Sequence, residues 1–445
     1  MSGLALALLK RGFTVSGSDS RAGARTHELI DAGVDVHIGH SAANIAGAEV
    51  VVYTTAIRDT NPELSAARAA GLQIVHRAEV LAYMTAGKHG IAVTGTHGKS
   101  TTTAMLATIL TGLGLDPTVF VGADAPNIGA NGHSTNFRLG DGGAVIFEAC
   151  ESDGSFLQYE GCSQILLNLE AEHLDQHHDL EGVREAFRRF VAIADPQGFI
   201  VWCGDCPELS RVVGAAPCRT VSYGLAGAVD VTAREIELRE HTISFVPVYR
   251  GVSRRRVTVP VPGKHNVRNS LAALAAAVES GIDADEAGEA LGAYRSIGRR
   301  FDILGEFAGR LIVNDYAHHP TEISATLAAA RGYLDRRIVV AFQPHLYSRT
   351  KFFMHDFAEA LAAADVVILT DIYAAREDPI PGVSSEEIVE IIRREHPDKD
   401  ALYIAKLADV APYLRKHSRP GDMILAMGAG DVDSVAEELA ASLGG

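Results

Sequence analysis

The chain reads as an α/β protein of three blocks, on three observations. Short β-branched runs alternate with amphipathic stretches along most of its length, the pattern of parallel sheets flanked by helices. One of those runs, "GIAVTG", feeds a glycine-bounded turn carrying a lysine, a serine and threonines before an alanine-rich stretch begins. Midway, "DVTAREIELREHTISFVPVYRGVSRRRVTVPV" changes to the alternation of antiparallel strands.

The first block, residues 1–86, predicts a helix over Gly3–Arg11, a strand over Phe13–Ser16, a helix over Thr26–Ala32 and a strand over Val34–Ile38. A strand in "AEVVVYTTA" and a helix after Asn61-Pro62 follow, with proline at the first helical position, where its missing N–H costs nothing. The second block, 87–297, opens with a strand over Ile91–Val93, a turn over Thr94–Lys99 and a helix from Ser100. Buried strands are read in "GGAVIFEAC", "SQILLNLE" and "GFIVWC", then the antiparallel region and the helix "NSLAALAAAVESG". The third block, 298–445, repeats the strand-then-helix rhythm with "RLIVNDY", "RIVVAFQ", "DVVILTDIY", "ALYIA" and "DMILAMG".

Composition narrows the function. With 445 residues and 47% hydrophobic content the chain can bury ordinary cores, while a net charge of −16 without a long basic run argues against a nucleic-acid binder. No run approaches the length of a membrane span and no signal-like segment opens the chain, so the cytoplasm is expected. Five cysteines, an odd count, fit reduced thiols; Cys203-x-x-Cys206 lacks the second pair that a zinc site needs, and its thiols are read as structural.

The turn after "GIAVTG" is the candidate site. A strand, a glycine turn and a helix N-terminus present backbone N–H groups to phosphate oxygens, with a lysine for the terminal phosphates and a serine hydroxyl for Mg2+. The longer phosphate-loop spacing fails because Val93 stands where its first glycine belongs, leaving the shorter G-T-x-G-K-[ST]. Gly95, Thr96, His97, Gly98, Lys99, Ser100 and Thr101 form the predicted ATP loop, with Lys99 in a solvent-facing turn.

"GTHGKSTT" resembles the nucleotide loop of the Mur ligases. "ESDGSF", "NLEAEHLD", "GKHNVRNSLAA", "GRRFDILGE", "NDYAHHPTEI", "QPHLYSRT" and "MGAGD" follow in that family's order, so the resemblance spans almost the whole chain. It implies a three-domain fold, with a Rossmann-like N-terminal domain, a central domain like the P-loop ATPases and a Rossmann-like C-terminal domain. It further implies an ATP- and Mg2+-dependent ligase of peptidoglycan synthesis. ATP phosphorylates the lactyl carboxylate of UDP-N-acetylmuramate, and the amine of L-alanine attacks the acyl phosphate. Two alternatives are a ligase that recycles a preformed tripeptide onto the same sugar nucleotide and a catalytically impaired nucleotide-binding relative.

The resemblance assigns roles residue by residue. Lys99 neutralises the β/γ-phosphates, Ser100 holds the Mg2+ that bridges them, Thr101 belongs to the same ATP-binding set, and Glu151 and His173 hold a metal nearer the acyl acceptor. Asn269 contacts adenine, with Asn266 beside it at a helix start where one asparagine could cap; Arg300 and Asp315 close the third domain over the nucleotide. Tyr316, His318 and Arg349 form the amino-acid pocket, and a general base is sought in His318 or His319. Cys150, Asn314 and Leu346 stand where relatives carry aspartate, aspartate and arginine. The family's first strand and glycine-rich loop would precede Met1, so the first domain is read as truncated and weak binding of the UDP-sugar is expected.

Overall fold

The computed structural model describes residues 1–129, 134–170, 179–333, 336–375 and 377–443. The chain divides into two compact units: Met1–Gly122, Asn127–Val229 and Ala275–Asp283 form one, and Ala123–Pro126, Asp230–Leu274 and Ala284–Gly445 form the other.

In the first unit, two small parallel pairs come first, Ser16–Asp19 with Asp35–Ile38 and Val50–Tyr53 with Gln73–His76. The strand expected over Phe13–Ser16 therefore lies later. Gly12, at φ +90, ends the preceding turn, and pairing starts where Val15 accepts the Asp35 amide, leaving Phe13 half exposed. The strand Gln73–His76 and the helix Arg77–Thr85 had no expectation. His76 starts that helix by accepting the Ala78 amide while Glu79 accepts the His76 amide, a cap built from a residue type that seldom signals one.

The main sheet of this unit runs, in spatial order, Arg219–Tyr223, Phe199–Cys203, Ser163–Leu166, His89–Thr94, Ala144–Glu148, Thr118–Ala125 and Thr135–Arg138. The registered pairs from Arg219–Tyr223 across to Thr118–Ala125 are parallel. His89–Thr94 thus sits centrally, and the loops leaving Ala144–Glu148 and Ser163–Leu166 emerge on either side of it at the carboxyl edge, where open α/β sheets bind ligands. The helix Lys99–Gly112 that follows is buried from Ser100 through Leu110.

In the second unit, Val231–Leu238, Ile243–Tyr249, Val252–Ser253 and Val257–Val259 form the expected antiparallel set. The helix expected from Asn269 begins at Lys264, because Gly263 adopts φ +91 immediately before it and a Cβ there would fall 2.6 Å from the His265 ring. A six-stranded sheet runs Asp302–Phe307, Arg310–Asp315, Asp422–Met427, Arg337–Phe342, Val366–Leu369 and Asp400–Tyr403. The last five are parallel; the first, unexpected from sequence, pairs antiparallel through a tight turn in which Ala308 and Gly309 both have positive φ. Separate apolar clusters cover the two faces of this sheet.

Candidate active site

The predicted phosphate loop is built as a strand, a turn and a helix N-terminus. Gly95 has φ +136, and a Cβ there would lie 2.9 Å from the Asn168 amide nitrogen; Gly98, at φ +85, precedes the helix. Asn168, at the end of the neighbouring strand, clamps the turn: its Oδ1 accepts the His97 amide at 2.8 Å and its Nδ2 donates to the His97 carbonyl at 3.0 Å. Thr96 Oγ1 accepts the Glu170 amide at 3.1 Å. Sequence reading placed Asn168 within a motif without giving it a function; a long-range clamp leaves no local signal.

Lys99 is not in a solvent-facing turn. It is the first residue of the helix, its side chain is 17% exposed, and Nζ donates to the Gly95 and Thr96 carbonyls at 2.5 and 3.2 Å. Both oxygens of the buried Glu151 lie 3.1 Å from Nζ. The reason is geometric: the strand Ala144–Glu148 is the direct neighbour of His89–Thr94, so the loop leaving it delivers Glu151 over the helix start. Burial and the Glu151 charge push the Cys150 thiol up from its ordinary value. All five cysteines are free thiols. Ser100 and Thr101 are buried in the first helical turn. The arrangement fits a phosphate chain: a cradle that a Cβ would fill, a lysine turned onto the loop, and hydroxyl and carboxylate oxygens of the hard type that Mg2+ takes. His173 lies outside the described residues.

In the second unit the predicted residues also cluster. Asp315 ends its strand, and its carboxylate accepts the Phe301 and Ala317 amides, each at 2.7 Å, so it ties the backbone just after Tyr316 to that at Phe301. Burial pushes its carboxyl up to about 6 against the lowering influence of Arg300 and those two amides. The Tyr316 ring is flanked by the guanidiniums of Arg299 and Arg300, at 4.9 and 4.8 Å from its centroid. His318 Nδ1 lies 2.9 Å from the Tyr316 carbonyl and 3.2 Å from Glu322. A carbonyl only accepts, so Nδ1 carries a proton, and in the neutral ring the basic lone pair lies on Nε2. His319 is used differently, its Nδ1 accepting the Thr321 amide as the cap of the helix Pro320–Arg331.

Neither asparagine of "GKHNVRN" caps a helix. Asn266 donates to the Pro262 carbonyl at 2.8 Å, and Asn269, a turn further on, donates to Asn266 Oδ1 at 3.1 Å. Arg349 is 8% exposed, and its Nη1 donates to His345 Nδ1 at 3.1 Å; the His345 ring stacks on Tyr373 at 5.6 Å. Leu346 takes φ +71 at the start of that short helix, a conformation unusual for leucine. Arg299, His345 and Tyr373 were missed from sequence. Arg299 was legible only as the neighbour of Arg300, yet its Nη2 donates to the Gly428 and Gly430 carbonyls at 2.8 and 3.0 Å.

The chain is similar to known proteins along its length. Family models match in succession: "Mur ligase family, catalytic domain" over residues 1–89, "Mur ligase middle domain" over 93–277 and "Mur ligase, glutamate ligase domain" over 299–430. The UDP-N-acetylmuramate–L-alanine ligase of Sorangium cellulosum is 44% identical, covering 100% of this chain and 94% of that protein. The crystal structure of the UDP-N-acetylmuramate–alanine ligase of Thermotoga maritima superposes with a TM-score of 0.83 at 29% identity, covering 99% of this chain and 96% of that one. A murein peptide ligase from Psychrobacter arcticus gives 0.74 at 25% identity, covering 100% and 96%.

Proposed function

The chain belongs to the Mur ligase family, and on that premise we propose that it joins L-alanine to UDP-N-acetylmuramate with consumption of ATP. The full-length match at 44% identity to a ligase of that name carries the proposal. It is an ATP-dependent acid–amino-acid ligase of peptidoglycan precursor synthesis.

A carboxylate is a poor electrophile, so the lactyl carboxylate first takes the γ-phosphoryl group of ATP and the amine of L-alanine then displaces phosphate. In this reading the 95–101 loop holds the ATP phosphates on its amides. Lys99 exchanges the Gly95 and Thr96 carbonyls for phosphate oxygens, a charge-assisted contact stronger than the ones it leaves. Ser100 and Glu151 would hold Mg2+, which supplies charge neutralisation when bound, with His173 as a further ligand. Asn269 contacts adenine, and Arg300 and Asp315 take part in domain closure, Asp315 by tying the backbone just after Tyr316 to that at Phe301. L-alanine arrives as an ammonium ion; His318 Nε2 takes its proton, held in the correct tautomer by the Tyr316 carbonyl. Arg349 grips the amino-acid carboxylate, and the acceptor at His345 Nδ1 orients its guanidinium.

No helix among the described residues is long and apolar enough to cross a membrane. We place the enzyme in the cytoplasm, where ATP is available. The deciding experiment follows phosphate release from ATP and UDP-N-acetylmuramate with L-alanine, with the tripeptide L-alanyl-γ-D-glutamyl-meso-diaminopimelate, or with neither. Release driven by L-alanine supports the proposal. Release only with the tripeptide would make this chain a recycling ligase, and release with neither would leave it a nucleotide-binding relative.

A further inference from the structure

Side chains on the loops that leave the carboxyl ends of the parallel strands in the second unit touch one another in a closed ring. The rings of Tyr316 and His318 lie 5.2 Å apart, those of His318 and His345 6.1 Å, and those of His345 and Tyr373 5.6 Å. Tyr373 in turn meets the backbone at the buried Gly430, where an added Cβ would fall 2.8 Å from the tyrosine ring. Arg299 closes the ring, donating to the Gly430 carbonyl at 3.0 Å with its guanidinium 4.9 Å from the Tyr316 centroid. The proposed reaction uses Tyr316, His318 and, through Arg349, His345. It leaves Tyr373 without a part.

An amino acid held by its carboxylate at Arg349 and by its ammonium at His318 lies against the residue that touches both. That residue is His345, whose Nδ1 accepts from Arg349 at 3.1 Å while its ring meets that of His318. The room left for the amino acid's side chain then depends on whether the His345 ring can give way. Tyr373 blocks it, stacked on the imidazole with the planes 15° apart. Behind Tyr373 stands the 428–431 backbone, pinned by Gln343 Oε1, which accepts the Asp431 amide at 2.8 Å. The loops themselves are locked together. The Tyr373 amide donates to the Pro344 carbonyl at 2.8 Å, the Leu346 amide to the Tyr373 carbonyl at 2.9 Å, and the Ser348 amide to Glu377 at 2.9 Å. Close-packed groups of this kind transmit a change of volume rather than absorb it.

On the premise that the chain is the proposed ligase, we propose that Tyr373 is a specificity-determining residue, the backing that confines the amino-acid pocket to small side chains. Gly430 lacks a side chain so that the tyrosine ring fits against the loop. Removing the ring vacates space into which the His345 imidazole can swing. A larger side chain is then admitted, and Arg349 loses a fixed acceptor. One methylene admitted or refused by a packed pocket changes kcat/KM by about 10- to 200-fold, so the effect is within reach of ordinary kinetics.

The test measures phosphate release from ATP and UDP-N-acetylmuramate with glycine, L-alanine, L-2-aminobutyrate and L-valine, for the parent chain, Tyr373→Ala and Tyr373→Phe. In Tyr373→Ala the kcat/KM for L-alanine should fall, mainly through KM, while the ratio of L-alanine to L-valine narrows by about tenfold or more. Tyr373→Phe keeps the ring and should recover most of that ratio. Tyr373→Leu, which leaves a smaller void, supplies the same comparison should Tyr373→Ala fold poorly. A loss of equal factor for every amino acid, with the ratio unchanged, would show a merely structural role and overturn the proposal. So would a ratio narrowed as far in Tyr373→Phe as in Tyr373→Ala. The parent alone decides the ligase activity: release with none of the four amino acids defeats both proposals, whereas release with L-alanine and an unchanged ratio in Tyr373→Ala defeats only this one.

Discussion

Lys99 Nζ stands 3.1 Å from each carboxylate oxygen of Glu151, a charge pair withdrawn from solvent between a helix start and the loop after a neighbouring strand. Lys99→Ala should abolish ligation and also lower stability, by about 1–3 kcal/mol, since it takes a neighbouring cation away from a buried carboxylate. Adding Glu151→Gln should restore most of the stability and none of the activity. Denaturant titration and ADP formation on both variants test this; a Lys99→Ala protein as stable as the parent would show that the pair is energetically idle.

The Asn168 clamp gives a second expectation. Asn168→Ala removes two hydrogen bonds from the His97 backbone. At about 1 kcal/mol each, the KM for ATP should rise about tenfold or more while the KM for L-alanine changes little. Gly95→Ala should be more severe, because it forces φ +136 on a residue with a Cβ aimed at the Asn168 backbone. Equal changes in both KM values for Asn168→Ala would count against a local effect on the ATP loop.

Arg299 joins the 428–430 loop to Tyr316, donating to two carbonyls with one nitrogen while its guanidinium lies on the ring. Arg299→Gln should raise the KM for L-alanine by about 5- to 20-fold, through a displaced Tyr316 rather than a lost substrate contact. Nucleotide binding, followed by fluorescence of a labelled ADP, should change little. Arg299→Lys should recover only part of the loss, since an ammonium does not reproduce the fork.

Two buried groups oppose each other in acid. His265 is pushed down to about 4 by burial and by Arg268 and Arg300. It stays neutral in the fold, so its contribution is complete above pH 6.5 and is lost as the pH falls toward 4, roughly 3 kcal/mol in all. Asp315, pushed up to about 6, contributes fully below pH 3.8, and that contribution is lost as the pH rises through 6. Each substitution should unmask the other group. Between pH 4.5 and 7, His265→Gln should shift relative stability toward acid and Asp315→Asn toward neutrality, as read by urea unfolding at each pH. Parallel pH profiles for the two variants would refute the assignment.

What was legible follows the range of the interactions. The glycine turn, the lysine and the hydroxyls sit within seven residues and report their own geometry, and the β-branched runs of the parallel sheets do the same. Lys99's burial depends on Glu151, fifty-two positions away in sequence, and Asn168 acts across seventy-one, so neither had a local signature. The start at Lys264 was missed because Gly263 sets the helix boundary through a positive φ rather than through a capping side chain. His76 and His319 cap helices with ring nitrogens, which sequence rules reserve for serine, threonine, asparagine and aspartate.

The helix Lys99–Gly112 is enclosed from Ser100 through Leu110, with no solvated stripe over that stretch. Its central amides should then exchange with deuterated water only when the surrounding unit opens as a whole, among the slowest in the chain. Adjustment to an arriving nucleotide would be confined to the few residues from Gly95 to Gly98, pivoting on an immobile base. Deuterium uptake with and without ADP should accordingly differ in that turn and hardly at all in the helix behind it.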